Sequence, residues 1–457
     1  MKSKMTDGKL HELTAAEIAR GVASGAVSAT DVARAFLART SEVEGAIRAW
    51  ASLEPDYVLE QAARLDGRSP RGPLAGVPVG IKDVFNTEFY PTEKGSPLWS
   101  GYRAGNDARC VSYLRRDDAV VFGKTDTSEL AVHANGKARN PHSLAHVTGS
   151  SSGGSAAAVA AGSVPVALGT QTGGSIIRPA SWCGVYAMKP SFGLIPRTGV
   201  LKTTDTLDTI GFFGRSPDDL QLLLDTLRVH GSNFPIHERE LQRYAAATPA
   251  RWRIAFCRSH HSADVEAYVG ERMERFAREL SKLADIEVLE LTLPASTQRV
   301  HDIHRRIYHT DLGYYLKTEM ARDPSKLSAT LRDIFEDSRT IPAQDYPVAL
   351  REQVALAQEV EAFFREHRID AICMNSSNGA AQEVEPLTHQ DVNPLWTATW
   401  VPVINVPAFS SPQGLPFGLQ LVGPKFADLK LLALLRSLAQ RDLLPRRSAI
   451  AQPPRVQ

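Results

Sequence analysis

The sequence predicts an α/β fold. Two observations carry the prediction. Short, continuous apolar runs bounded by Gly, Pro or charged residues read as buried strands, Val77-Pro78-Val79-Gly80-Ile81 and Ala119-Val120-Val121-Phe122-Gly123 among them. Stretches with apolar residues at helical spacing alternate with such runs. A third observation sets the scale: 457 residues, 43% apolar, 23% charged and 7% aromatic, suffice to bury a sizeable core. That length leaves room for about three small domains or one large α/β unit. Disorder, collagen-like repeats and coiled coil are excluded as overall classes.

In chain order, Ser28 to Leu37 sets Val32, Ala33, Ala35, Phe36 and Leu37 on one helical side, with Ser28 or Thr30 as cap. From Leu74 the character changes, and the first buried strand stops abruptly at Lys82-Asp83. Thr148 to Ser175 is rich in Gly, Ser and Ala, which suits a linker or a close backbone approach. The order favours the second, because Ala156 to Ala161 is a strong helix former and Val164 to Leu168 reads as a strand. After Phe212 come helices at Pro217–Leu227, Val265–Leu283 and Arg351–Phe364, with short strands at Arg253–Phe256 and Ile286–Leu291. Val401–Val406 and Gly418–Val422 return to buried strands, and Ala427–Gln440 closes the chain as a helix. The sequence shows no internal repeat and no clear domain linker.

Lys plus Arg (52) nearly cancels Asp plus Glu (51), which removes the electrostatic case for a nucleic-acid or anionic-membrane partner. Cys110, Cys183, Cys257 and Cys373 lie far apart without metal-ligand spacing, so neither a zinc site nor a disulfide framework is indicated. Met1 to Lys9 lacks the apolar stretch of a secretory signal, and the longest apolar tract, Ala156 to Leu168, is too short to span a bilayer. A cytoplasmic location is expected.

Gly149-Ser150-Ser151-Ser152-Gly153 matches the GxSxG nucleophile elbow, but the polar, Pro-interrupted segment before it is no strand, so a Ser/Gly turn is the better reading. Gly123-Lys124-Thr125 resembles the end of a phosphate-binding loop, yet its first glycine would fall at Asp118. His301, His304 and His309 lack a completing carboxylate and are expected on a solvated helix rather than on a metal.

The informative constellation is Lys82 at a strand end, Ser151-Ser152-Gly153-Gly154-Ser155, and Gly169-Thr170-Gln171-Thr172-Gly173-Gly174-Ser175. A serine needs a base to become a nucleophile, and neither serine-rich segment contains a histidine. Lys82 is the available base. It would have to be buried to lose its proton near neutral pH, and alternation along the strand would turn Asp83 away from it. Gly173 and Gly174 would let main-chain N–H groups converge on a developing oxyanion.

These segments resemble the amidase signature family of Ser-Ser-Lys hydrolases. Gly76 to Asp83, Gly123-Lys124-Thr125, Gly149 to Gly162, Gly169 to Ser175, Pro179 to Gly184, Lys189-Pro190 and Gly414-Leu415-Pro416 with Gly418 and Gln420 fall in the family's order. The resemblance implies a single α/β/α unit with a mixed central sheet covered by helices. It would span 1–457, with a helical N-terminal region (1–70), a signature core (71–235), a variable, mostly helical part (236–390) and C-terminal strands and helix (391–457). It implies Ser175 as nucleophile, Lys82 as base and Ser151 as proton relay, with Ser152 hydrogen-bonding behind them. The N–H groups of Thr172, Gly173, Gly174 and Ser175 would form the oxyanion hole. A cis peptide bond before Ser151 is implied too.

The departures are Ser150 for a usual glycine, Gln171 where many members carry Asp, Arg178 three residues after Ser175, Trp400 for a common glycine, and Met374-Asn375-Ser376-Ser377 for a Thr-Pro segment. Trp400 and Asn375 are expected to shape the substrate pocket. The expected function is amidase hydrolysis of the C–N bond of a small carboxylic amide through an acyl-enzyme, without metal or organic cofactor. Alternatives are a carbamoyl- or ureido-substrate hydrolase, or a glutaminase-type subunit of an amidotransferase. No nucleic acid or membrane partner is expected, and the oligomeric state is open.

Overall fold

The computed structural model describes residues 9–132, 135–230, 235–245, 249–258, 264–383 and 391–452. The reading of Met1 to Lys9 lies outside the described residues except at Lys9. The strands are β1 (Trp50–Leu53), β2 (Pro78–Lys82), β3 (Val120–Thr125), β4 (Val166–Gln171), β5 (Tyr186–Lys189) and β6 (Thr209–Gly214). They continue with β7 (Trp252–Arg258), β8 (Ile286–Thr292), β9 (Ala371–Asn375), β10 (Val403–Ser410) and β11 (Pro416–Val422). All belong to one sheet, ordered β1-β3-β2-β4-β6-β5-β10-β11-β9-β7-β8. Two parallel patches, β3-β2-β4 and β9-β7-β8, are joined through antiparallel pairs, so the sheet is mixed.

Every residue of β2 and β3 is buried, which explains why both read as uninterrupted apolar runs rather than as alternation. Helices cover the sheet, and one hydrophobic cluster extends from Ala15 to Leu444. Ser28 caps the helix Ala29–Ile47 by accepting the N–H of Asp31, while Val32, Ala33, Phe36, Val43 and Ile47 form its buried side. The helix Pro217–Leu227 starts the same way, with Ser216 as cap and proline in the first turn. The α/β expectation is met.

The differences have local causes. The N-terminal 70 residues hold β1 as well as helices. This four-residue strand is half exposed and pairs only with β3 at the sheet edge, so it is too short to show a period. Strand β6 has no continuous apolar run in the sequence, because Gly211 interrupts it. A Cβ there would stand 2.2 Å from the carbonyl of Met188, so the approach of β5 requires glycine. Between β8 and β9 the helices Val300–Tyr315, Ala329–Thr340 and Asp345–Glu366 are more extensive than Arg351–Phe364 alone.

At the end of β2 the chain turns successive side chains to opposite sides. Asp83 pairs with Lys124 of β3 at 2.8 Å, both nearly inaccessible to solvent, and among the described residues Lys82 has no carboxylate in contact. Lys124 also donates to the carbonyl of Pro91 and to Thr92 Oγ1, which makes Gly123-Lys124-Thr125 a strand segment and not a phosphate cradle. Replacing Asp83 by alanine would strand a buried cation. The expected cost is about 3–5 kcal/mol in urea unfolding, and a loss below about 1 kcal/mol would show that the pair is not what offsets the burial of Lys124.

Candidate active site

Strands β2 and β4 are parallel neighbours in a register that pairs Ile81 with Leu168, so their carboxyl ends run level. Ligands of α/β sheets collect at such ends. Lys82, the last residue of β2, is wholly buried, and its Nζ lies 2.9 Å from Ser151 Oγ, 3.0 Å from Ser152 Oγ and 2.8 Å from Thr170 Oγ1. All three partners are neutral hydroxyls. Burial therefore pushes the pKa of Lys82 well below the ordinary lysine value, with the charge of Asp208 partly opposing it.

The hydroxyl proton of Ser152 is committed to the carbonyl of Thr170, and its oxygen also accepts the N–H of Thr170. A neutral amine has two N–H bonds and one lone pair, so that lone pair is left to the proton of Ser151 or Thr170. The arrangement can take a proton from Ser151 and give it back. Thr170 is a site residue that the sequence reading does not include. Its signal is alternation: in β4 it points to the side opposite Gln171.

Ser151 and Ser152 sit at the start of the helix Gly153–Ala160. Gly154 permits the approach of that helix to the end of β3, since a Cβ would lie 2.5 Å from the carbonyl oxygen of Asp126. The cis expectation is corrected: among the described residues the cis peptide bond is Ser69-Pro70, and the bond between Ser150 and Ser151 is not cis. The chain turns instead through positive φ at Gly149 (104°) and Ser150 (88°), and this brings the Ser151 hydroxyl to Lys82 without a cis bond. Thr127 Oγ1 donates to the carbonyl of Ser151 and holds the turn in place.

Ser150 is strained there, and its buried hydroxyl finds no partner among the described residues. Ser150→Gly is therefore expected to stabilise the fold by about 1 kcal/mol. Thermal unfolding checks this, and a lowered midpoint would show that the serine is favoured at this turn.

Ser175 follows β4 through the loop Thr172–Gly174 and is 5% exposed, so its hydroxyl is close to closed off from solvent. Among the described residues Ser175 Oγ makes no hydrogen bond, and none joins it to Ser151 in this structure. The N–H groups of Thr172, Gly173, Gly174 and Ser175 likewise have no acceptor among the described residues. Gln171 braces this loop from behind. Its Oε1 accepts the N–H groups of Ile176 and Ile177 at 2.9 and 3.1 Å, and its Nε2 donates to Thr397 Oγ1 at 3.0 Å. Arg178 is tied to Asp391 at 2.6 Å in a buried pair. Burial works against the charge of Asp391, but Arg178 and the N–H of Asn393 keep its carboxyl below the usual carboxylate range.

A cavity of about 250 Å³ opens beside Thr170 and Thr172, with Val84, Val200, Leu201 and Ile210 on its walls. Its polar groups are already engaged. Asp208 accepts from Thr172, Thr203 and Thr204, and Arg197 donates to the carbonyls of Thr204, Asp205 and Asp208. Neither Trp400 nor Asn375 lines this cavity. The Trp400 indole donates to the carbonyl of Thr206, and Asn375 lines a separate cavity at the ends of β7, β8 and β9.

The histidines part company. His304 is buried with Nε2 2.8 Å from the carbonyl of Thr172, which corrects the solvated-helix reading for that residue, whereas His309 pairs with Asp337. Among the described residues no three His, Cys, Asp or Glu side chains gather as for a metal ion, and no helix is long and apolar enough to cross a membrane. GxSxG is not an elbow, since a looped segment rather than a strand leads into Gly149.

Residues 31–432 match the family described as Amidase. The chain is 30% identical over 482 residues to a glutamyl-tRNA(Gln) amidotransferase subunit of Chloroflexus aggregans, covering 93% of this chain and 95% of that relative. It is also similar to a crystal structure described as an amidase, at 26% identity and a TM-score of 0.82, covering 94% of this chain and all of the other. The native peptide amidase of Stenotrophomonas maltophilia matches at 25% identity and a TM-score of 0.82, over 96% and 99% of the two chains.

Proposed function

Because the chain belongs to the amidase family of carbon–nitrogen hydrolases, we propose that it cleaves a small carboxylic amide through an acyl-enzyme on Ser175. The observation that carries this is the wholly buried Lys82 with its amine on Ser151, Ser152 and Thr170 and no contacting acid among the described residues. A lysine kept neutral by burial is a base and not a binding cation.

In the proposed reaction the substrate carbonyl oxygen lies on the loop N–H groups of Thr172–Ser175. Ser175 Oγ attacks the carbonyl carbon, and its proton passes to Ser151 while the proton of Ser151 passes to Lys82. The four loop N–H groups stabilise the oxyanion of the tetrahedral intermediate. As it collapses, the C–N bond breaks and the nitrogen takes a proton back through Ser151, which leaves the acyl group on Ser175. Water then attacks the ester with the same groups in the same roles, and the acid departs.

The cavity favours a small group with an apolar part, since Asp208 is already taken up by threonine hydroxyls and Arg197 by main-chain carbonyls. The chain acts here as one amidase domain, with Lys82 and Ser175 in its signature core. A panel of small aliphatic, aryl and ureido amides, read by ammonia or amine release, tests the proposal. Release from the ureido compounds alone would move the assignment to a carbamoyl-type substrate.

A second reading has its own support, because the similarity to the glutamyl-tRNA(Gln) amidotransferase subunit covers both chains nearly end to end. Under it the same groups would release ammonia from glutamine for a partner protein. Rapid turnover of small amides by the isolated chain without ATP favours the free-standing amidase, and activity confined to glutamine favours the amidotransferase role.

A further inference from the structure

We propose that His304 and Thr397 are positioning residues that set the oxyanion hole by gripping the outward carbonyls of its two middle peptide units, Thr172–Gly173 and Gly173–Gly174. His304, on the helix Val300–Tyr315, meets the carbonyl of Thr172 at 2.8 Å, and Thr397 Oγ1 donates to the carbonyl of Gly173 at 2.7 Å. In a trans peptide the C=O and the following N–H point in opposite directions. Holding the carbonyl of Thr172 outward therefore aims the N–H of Gly173 inward, and holding that of Gly173 does the same for the N–H of Gly174. Neither N–H has an acceptor among the described residues, as expected of groups kept for the substrate oxygen.

The donors suit the task. A carbonyl can only accept, so His304 must carry its proton on Nε2. Burial pushes its pKa down to about 4, so the ring stays neutral and keeps that tautomer over the working range. Thr397 is itself fixed: its oxygen accepts from Gln171 Nε2, and of the two carbonyls in reach of its proton that of Gly173 at 2.7 Å is much nearer than that of Asn393 at 3.3 Å. A hydrogen bond to a peptide oxygen also polarises that peptide and makes its N–H a stronger donor. His304 belongs to the variable stretch and Thr397 to the short helix Asn393–Ala398, so the signature loop is aimed by residues outside the signature.

The inference rests on the acyl-enzyme reading, and the full-length chain tests both. His304→Ala and Thr397→Val are each expected to lower kcat about 10–100-fold with KM within about two-fold, because a misaimed oxyanion hole is felt only as charge develops. Both should weaken a boronic acid that forms an anionic adduct on Ser175 by a similar factor. His304→Gln, whose amide N–H can stand where Nε2–H does, and Thr397→Ser should each recover most of the loss. If one alanine or valine variant does not fold, the other together with its rescuing partner carries the test. Parent-like kcat and boronate affinity in the folded variants, alongside an inactive Ser175→Ala, would overturn the positioning role while leaving the reaction intact. An active Ser175→Ala would overturn both.

Discussion

Replacing Ser175 by alanine is expected to abolish turnover and covalent labelling by a fluorophosphonate probe, with a loss of about 10⁴-fold or more. The side chain is small, its neighbours Gly174 and Ile176 keep their main-chain contacts, and Gln171 still holds the N–H groups of Ile176 and Ile177. Near-native unfolding should therefore accompany the loss of chemistry. Labelling of the alanine variant at another serine, with substrate turnover preserved, would refute the nucleophile.

The second large effect belongs to Lys82. Lys82→Ala is expected to cost about 10³-fold in kcat/KM. Lys82→Arg should fare no better, because a guanidinium cannot give up its proton. In the parent enzyme kcat/KM should rise with pH as the amine deprotonates and level off well below the ordinary pKa of lysine, since burial lowers it. The same shift links to stability with a definite sign. The folded chain resists protonating Lys82 and the unfolded chain does not. Between the two pKa values the unfolded state therefore binds more protons, and this residue's contribution to stability falls as the pH is lowered. A pH–rate profile without an acidic limb, or a Lys82→Ala enzyme with parent acylation rates, would assign the base elsewhere.

How much of this was legible in the sequence depends on how local each signal is. The run Val77–Ile81 ending in Lys82 announced a buried strand with a cation at its tip, because a strand covered on both faces has no polar side to show. That Asp83 would turn away followed from strand alternation alone. By contrast, His304 lies 132 residues from the carbonyl it holds, and Thr397 lies 224 from its own. Nothing within a helical period distinguishes a histidine that packs onto a distant loop from one that faces water. Thr170 stood between, with its alternation visible but its partner on another strand. The expected cis bond before Ser151 failed because family pattern fixes which groups must meet, whereas the turn that brings them together depends on Gly149 and Ser150 both taking positive φ. Trp400 and Asn375 were placed by their difference from the family pattern, which says where a chain has changed and not which cavity the change faces.

The order of the strands bears on how the molecule comes into being. β10 and β11 are the last strands in the chain, yet they lie in the middle of the sheet, between β5 and β9. A nascent polypeptide that has not yet emerged as far as Val403 holds the strands of two part-sheets, β1-β3-β2-β4-β6-β5 and β9-β7-β8, each with a raw inner edge of unpaired peptide groups. Such edges invite pairing with other chains. The hairpin made last is thus the splice that joins the halves, and until it inserts, both inner edges stay open.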